Sequence, residues 1–80
     1  MTNKEMVMDI LSERSCLTGV QIHDYAYQKF GQSISPQAVA GVLRPMANKG
    51  QVAVSRHPYS NRNVYWFTDK GKEDFAKGAI

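Results

Sequence analysis

The chain of 80 residues contains one cysteine, Cys16, so no intramolecular disulfide can staple it. That scarcity suits a reducing compartment, and a cytoplasmic location is the expectation. No apolar run approaches the roughly 18–20 residues that cross a bilayer. The opening segment MTNKEMVMDILSER sets charges among its apolar positions, so it does not read as a signal peptide, and no membrane contact is expected. Cys16, His23 and His57 are too few and too scattered to make a zinc set. Cys16 reads instead as a small core residue. His23 and Asp24 are adjacent, which on a helix points their side chains apart. There is no phosphate-cradling glycine loop and no catalytic carboxylate pair. The expectation is a protein without enzymatic activity, metal or cofactor.

Acidic residues are missing from the middle of the chain. Met1–Asp24 carries a net −2 and the segment from Asp69 onward is neutral, whereas Tyr25–Thr68 holds Lys29, Arg44, Lys49, Arg56 and Arg62 with no carboxylate. The overall charge is only +3. Its concentration in one carboxylate-free stretch is what a surface facing a polyanion requires, since each acid there would repel phosphate.

What is present is an ordinary globular composition, 42% hydrophobic and 21% charged, which argues against disorder. At this length the expectation is one domain over residues 1–80. Thr2-Asn3-Lys4-Glu5 has the form of a capping box and starts a helix over Asn3–Glu13, with Met6, Val7, Ile10 and Leu11 on one stripe. Thr18-Gly19-Val20-Gln21 is a second capping box, starting a helix over Gly19–Phe30 that Gly31 stops. Ser35 caps a third helix over Pro36–Lys49, with Pro36 at its first position and Val39, Val42, Leu43 and Met46 as its core stripe. Pro45 lies inside that helix, where it removes a hydrogen bond, so a kink or a break near Arg44 is expected. The period then changes from helical to two. Gln51–Ser55 and Asn63–Phe67 read as strands of a hairpin around the loop Arg56–Arg62, with Tyr59, Ser60 and Asn61 at its tip. Thr68 and Asp69 open a short helix whose Phe75 is expected to return to the core. The class is α+β: a three-helix core, a β-hairpin and a short C-terminal helix.

Two stretches carry a family likeness. SPQAVAGVLRPMANKGQV, Ser35–Val52, resembles a recognition helix running into a wing. NVYWFTDKGKEDF, Asn63–Phe75, is similar to the strand and Thr-x-x-Gly-Lys ending of winged helix-turn-helix regulators of the MarR and PadR kind, which are bacterial. There is a fainter likeness in size and layout to small lambdoid phage proteins of the replication-exclusion kind, such as Ren. The resemblance implies a winged helix-turn-helix that binds double-stranded DNA and regulates transcription, with the third helix in the major groove and the hairpin on the backbone or minor groove. MarR and PadR proteins dimerise through long terminal helices, and no such helix is expected in this sequence. A homodimer and a separate protein partner both stay open.

The residues themselves support a DNA surface. Gln37, Gly41, Arg44 and Asn48 follow at i, i+4, i+7 and i+11, opposite the core stripe. Glutamine can pair bidentately with adenine and arginine with guanine. Gly41, between Ala38 and Ala40, would let the backbone approach closely. Arg56, His57, Asn61 and Arg62 on the hairpin suit phosphates or a narrow minor groove. Gln28, Lys29, Ser33 and Ser35 are further candidate phosphate contacts near the helix 3 N-terminus. The small-residue face would equally suit a protein helix, so the alternative is a protein-interaction winged helix without DNA binding of its own. Tyr25, Tyr27, Tyr65 and Trp66 read as packing aromatics rather than stacking platforms for single strands.

Overall fold

The computed structural model describes residues 2–59 and 61–79; Ser60, expected at the hairpin tip, lies outside them. Local capping chemistry sets the helix starts. Helix α1 (Asn3–Glu13) begins where the Thr2 hydroxyl accepts from the Glu5 N–H at 3.1 Å and the Glu5 carboxylate accepts from the Thr2 N–H at 3.0 Å. Those bonds hold the Glu5 carboxyl below its ordinary pKa, because they favour the ionised form. Helix α2 (Gly19–Phe30) repeats the device with Thr18 and Gln21. It ends at Gly31, whose φ of 66° is the left-handed cap that glycine adopts without a Cβ clash. Helix α3 (Pro36–Asn48) starts under Ser35, which accepts from the Ala38 N–H at 3.0 Å.

The expected break at Pro45 does not occur: α3 runs through it as one helix. Pro45 leaves the Gly41 carbonyl without its helical donor. Both residues are exposed, so water can serve that carbonyl, and the buried Val39, Leu43 and Met46 hold the helix from the other side.

The hairpin strands are β2 (Val52–Arg56) and β3 (Asn63–Phe67), antiparallel in the register Val52↔Phe67 through Arg56↔Asn63. A two-residue strand, β1 (Leu17–Thr18), pairs with the other edge of β3 through Leu17↔Tyr65 and Thr18↔Val64, giving the order β1-β3-β2. Sequence periodicity offers no sign of β1, since two residues have no period. Cys16, immediately before it, departs from expectation. It is exposed, not buried, because it occupies a turn with a left-handed φ of 58° that swings the chain from α1 into the sheet.

The apolar side chains meet in one cluster drawn from α1, α2, α3 and the sheet, with Val7, Ile22, Ile34, Val39 and Leu43 wholly enclosed. Met8 joins it beyond the expected stripe. Helix α4 (Asp69–Ala76) closes the chain. Its Phe75 lies against the Phe67 ring, centroids 5.8 Å apart, but remains 36% exposed; α4 is too short and too peripheral to bring it into the core. The residue of α4 that docks is Gly71, which is buried.

Candidate nucleic-acid interface

Helix α3 presents its polar stripe outward. Gln37, Gly41, Arg44 and Asn48 are all exposed, while Val39, Leu43 and Met46 on the opposite face are buried. Ala38 is half-buried and packs on the core, so it turns away from the stripe. A Cβ built on Gly41 would meet nothing within 4 Å. No described neighbour excludes a side chain there, although glycine in a helix interior costs about 1 kcal/mol relative to alanine.

The connection into α3 is held from behind. The His23 ring Nδ1 hydrogen-bonds the Ile34 carbonyl at 2.5 Å, tying α2 to the turn. Gly19 at the start of α2 sits against Pro36 at the start of α3; a Cβ there would lie 3.5 Å from the Pro36 Cβ. The two helix N-termini therefore converge. Arg62, Asn63 and Tyr65 of the hairpin line the same shallow cleft of about 300 Å³ as Gly19, Val20 and Pro36. An arginine beside two helix N-termini gives this corner positive electrostatic character, because N-terminal N–H groups carry partial positive charge.

Polar atoms of the hairpin loop bond one another among its described residues. The His57 N–H donates to the Arg62 carbonyl at 2.7 Å, and His57 Nδ1 accepts from the Tyr59 N–H at 3.2 Å. Asn61 takes a left-handed φ of 55° at the turn. Arg56, Asn61 and Arg62 are exposed, and His57 is half-buried. Tyr59 is 93% exposed. Cys16 and Arg62 also share a second cleft with His57 and Val64.

The structure redistributes the other candidates. Lys29 does not stand free: its ammonium reaches Asp9 at 2.7 Å and Glu13 at 2.6 Å, bridging α2 to α1. Those carboxylates, Asp9 first, raise its pKa. Gln28 and Ser33 are exposed and border a cleft with His23, Asp24 and Tyr27, away from the hairpin. Ser35 is exposed, and its hydroxyl already serves as the α3 cap. Of the aromatics, Tyr65 is buried, Trp66 and Tyr25 are half-buried, and the Arg14 guanidinium covers Tyr25 at 4.4 Å. Tyr27, expected to pack, is 65% exposed.

Sequence reasoning missed the junction that joins hairpin to helix. The Thr68 hydroxyl donates to the Gly50 carbonyl at 2.6 Å and accepts from the Gly71 N–H at 3.1 Å. The Thr68 N–H donates to the Gln51 carbonyl at 3.1 Å, and the Gln51 amide donates to Asp74 at 2.9 Å. The Gln51 N–H donates back to Met46 in α3 at 2.9 Å. The Thr-x-x-Gly spacing was the visible signal of this joint.

No family model matches the sequence, and no curated protein matches it. Solved structures do. The chain is similar to PadR of Bacillus subtilis in complex with operator DNA, with a TM-score of 0.75 at 20% identity over 96% of this chain and 46% of that one. The fold is a winged helix-turn-helix. RosR of H. salinarum matches 99% of the chain and 74% of its own, with a TM-score of 0.73 at 20% identity. MepR of S. aureus, in a DNA complex, matches 99% and 62%, with a TM-score of 0.71 at 18% identity. The chain thus spans about half the length of PadR and three-quarters of that of RosR. In winged-helix terms α2 and α3 are the helix-turn-helix, and β2 and β3 are the wing. Among the described residues there is no group of three or more histidine, cysteine or carboxylate side chains placed to hold a metal. No described helix is long and apolar enough to cross a membrane.

Proposed function

We propose that this winged helix binds double-stranded DNA in a sequence-specific manner and acts as a small transcriptional regulator. Helix α3 enters the major groove, and the wing rests on the flanking backbone or minor groove. The observation that carries this reading is the exposed stripe Gln37, Gly41, Arg44 and Asn48, which lies in a stretch without a single carboxylate. Gln37 and Arg44 read base edges. Arg56, Arg62 and the converging N-termini of α2 and α3 contact phosphate. Lys29, engaged by two carboxylates, is left out of the contact set. The operator DNA bound to PadR and the DNA bound to MepR support the same use of the fold here. One such module holds DNA weakly, and a second copy on a paired half-site would supply further affinity.

The test is fluorescence anisotropy with a random duplex, titrated at several salt concentrations. Binding whose log–log salt slope corresponds to several released counterions supports the reading. Absence of binding at low salt refutes it. The second reading, a protein partner, is favoured by the outer edge of β2, where Val54 is 43% exposed and no described strand pairs.

A further inference from the structure

Helix α3 and the wing must keep one angle if both are to touch the same duplex, and only Lys49, Gly50 and Gln51 lie between them in the chain. The base of the hairpin is fastened by apolar side chains, with Val52, Tyr65 and Phe67 buried in the core. Apolar burial is non-directional, so it anchors the base without setting the angle. Hydrogen bonds are directional, and those at this joint converge on one residue. Among the described residues Gln51 is the one polar residue that is buried. Its N–H donates to the Met46 carbonyl of α3 at 2.9 Å, and its carbonyl accepts from the Thr68 N–H, just past the wing, at 3.1 Å. Its side-chain amide donates to Asp74 of α4 at 2.9 Å, and Asp74 is held in turn by the Lys70 ammonium at 3.1 Å. Gly71 of α4 lies against the Gln51 carbonyl with no room for a Cβ. Recognition helix, wing and C-terminal helix are thus tied through a single residue.

The wing acts as a lever on this joint. Arg56 is five residues beyond Gln51 along β2, about 17 Å at 3.4 Å per residue. Arg62 lies beside that end of the hairpin, next to Asn63, which pairs with Arg56. A tilt of about 10° at Gln51 displaces Arg56 by about 3 Å over that lever. That displacement is about the full length of a hydrogen bond to phosphate. We infer that Gln51 is the positioning residue of the wing: its side-chain bond to Asp74 lets α4 hold the hairpin at the angle at which Arg56 and Arg62 reach phosphate while α3 lies in the groove. This rests on the DNA-binding reading and deepens it. Gln51 itself is buried and touches no DNA.

The experiment measures the salt slope of duplex binding by fluorescence anisotropy with the full chain. Gln51→Glu sets a second carboxylate against Asp74 and breaks the bond. Its salt slope should fall by about two, one for each wing arginine that loses its phosphate. Its preference for a site selected from a randomised library over random duplex should stay within about twofold of the parent's, because α3 still reads the bases. Arg62→Ala, which lowers the slope by about one in the parent, should change nothing in the Gln51→Glu background. Adding Asp74→Asn to Gln51→Glu reverses donor and acceptor, and should restore both the slope and the sensitivity to Arg62→Ala. A variant that is merely less stable behaves differently: a smaller folded fraction lowers affinity on every duplex by one factor and leaves the slope intact. An unchanged slope in Gln51→Glu, an equal effect of Arg62→Ala in both backgrounds, or a double variant whose slope stays low would overturn the inference while the DNA reading stands. Asp74→Ala removes the same bond from the outer side and decides the matter if Gln51→Glu misfolds: its slope should also fall by about two, and an unchanged slope overturns the inference. Failure of the parent to bind random duplex at low salt would instead overturn the DNA reading and this inference with it.

Discussion

Gly71→Ala should unfold the protein more readily than any other glycine-to-alanine change in a described helix. A Cβ at Gly71 would stand 1.9 Å from the Gln51 carbonyl oxygen and 2.9 Å from its carbon, with the Phe67 ring at 3.0 Å. The obstructing atoms are backbone, and that carbonyl is pinned by the Thr68 N–H at 3.1 Å. Helix α4 must therefore lift away, and lifting it strains the Thr68 cap and the Gln51–Asp74 bond. Overpacking a rigid site costs about 1–3 kcal/mol. Losing a threonine cap costs about 1 kcal/mol more. Replacing a helical glycine returns at most about 1 kcal/mol. The net is a loss of about 2 kcal/mol, against a total stability of order 4–12 kcal/mol for a domain of this size. The assay is thermal unfolding followed by far-ultraviolet circular dichroism, with a fall in Tm of about 10 °C expected. Gly41→Ala is the internal control: with nothing within 4 Å of its Cβ, it should raise Tm through helix propensity alone. Equal or same-signed shifts in the two variants would refute the steric argument.

Pro45→Ala should stabilise α3 by about 1–3 kcal/mol, since it restores the bond to the Gly41 carbonyl in a helix that is already continuous; a lower denaturant midpoint would contradict this. Arg44→Ala should cost about 1–3 kcal/mol on the preferred site and relax selectivity there, whereas Arg62→Ala should weaken all sequences alike and reduce the salt slope by about one. Equal loss on every sequence from Arg44→Ala would remove its base-reading role. The Asp74 carboxyl is held below its ordinary 3.8, first by the Gln51 amide and then by the Lys70 ammonium. Its folded pKa lies below its unfolded one, so its contribution is complete above about pH 3.8 and fades as pH falls through the folded value. Asp74→Asn keeps an acceptor for Gln51 but cannot titrate. The difference in denaturant midpoint between the two proteins should close in acid, and a difference that stays constant to strongly acid pH would rule the carboxylate out.

The parts of this molecule that are legible in the sequence are those decided within one turn of chain. Thr2, Thr18 and Ser35 announce helix starts because a cap is a contact between residues three apart, and Gly31 announces a stop because left-handed backbone selects glycine. The exposed stripe of α3 is equally local, since helical geometry alone puts Gln37, Gly41, Arg44 and Asn48 opposite Val39 and Leu43. What escapes are properties created when elements meet. Lys29 reads as a free cation on α2 until α1 brings Asp9 and Glu13 within ion-pair distance. Cys16 reads as a core residue until β1 pairs with β3 and leaves it in the turn outside. Gly71 reads as an ordinary helical glycine until the Gln51 carbonyl arrives where its Cβ would be. Gly41 is the opposite case: no described residue comes within 4 Å of where its Cβ would be. The same residue type thus marks a close internal contact at 71 and open surface at 41, and only the surrounding atoms distinguish them.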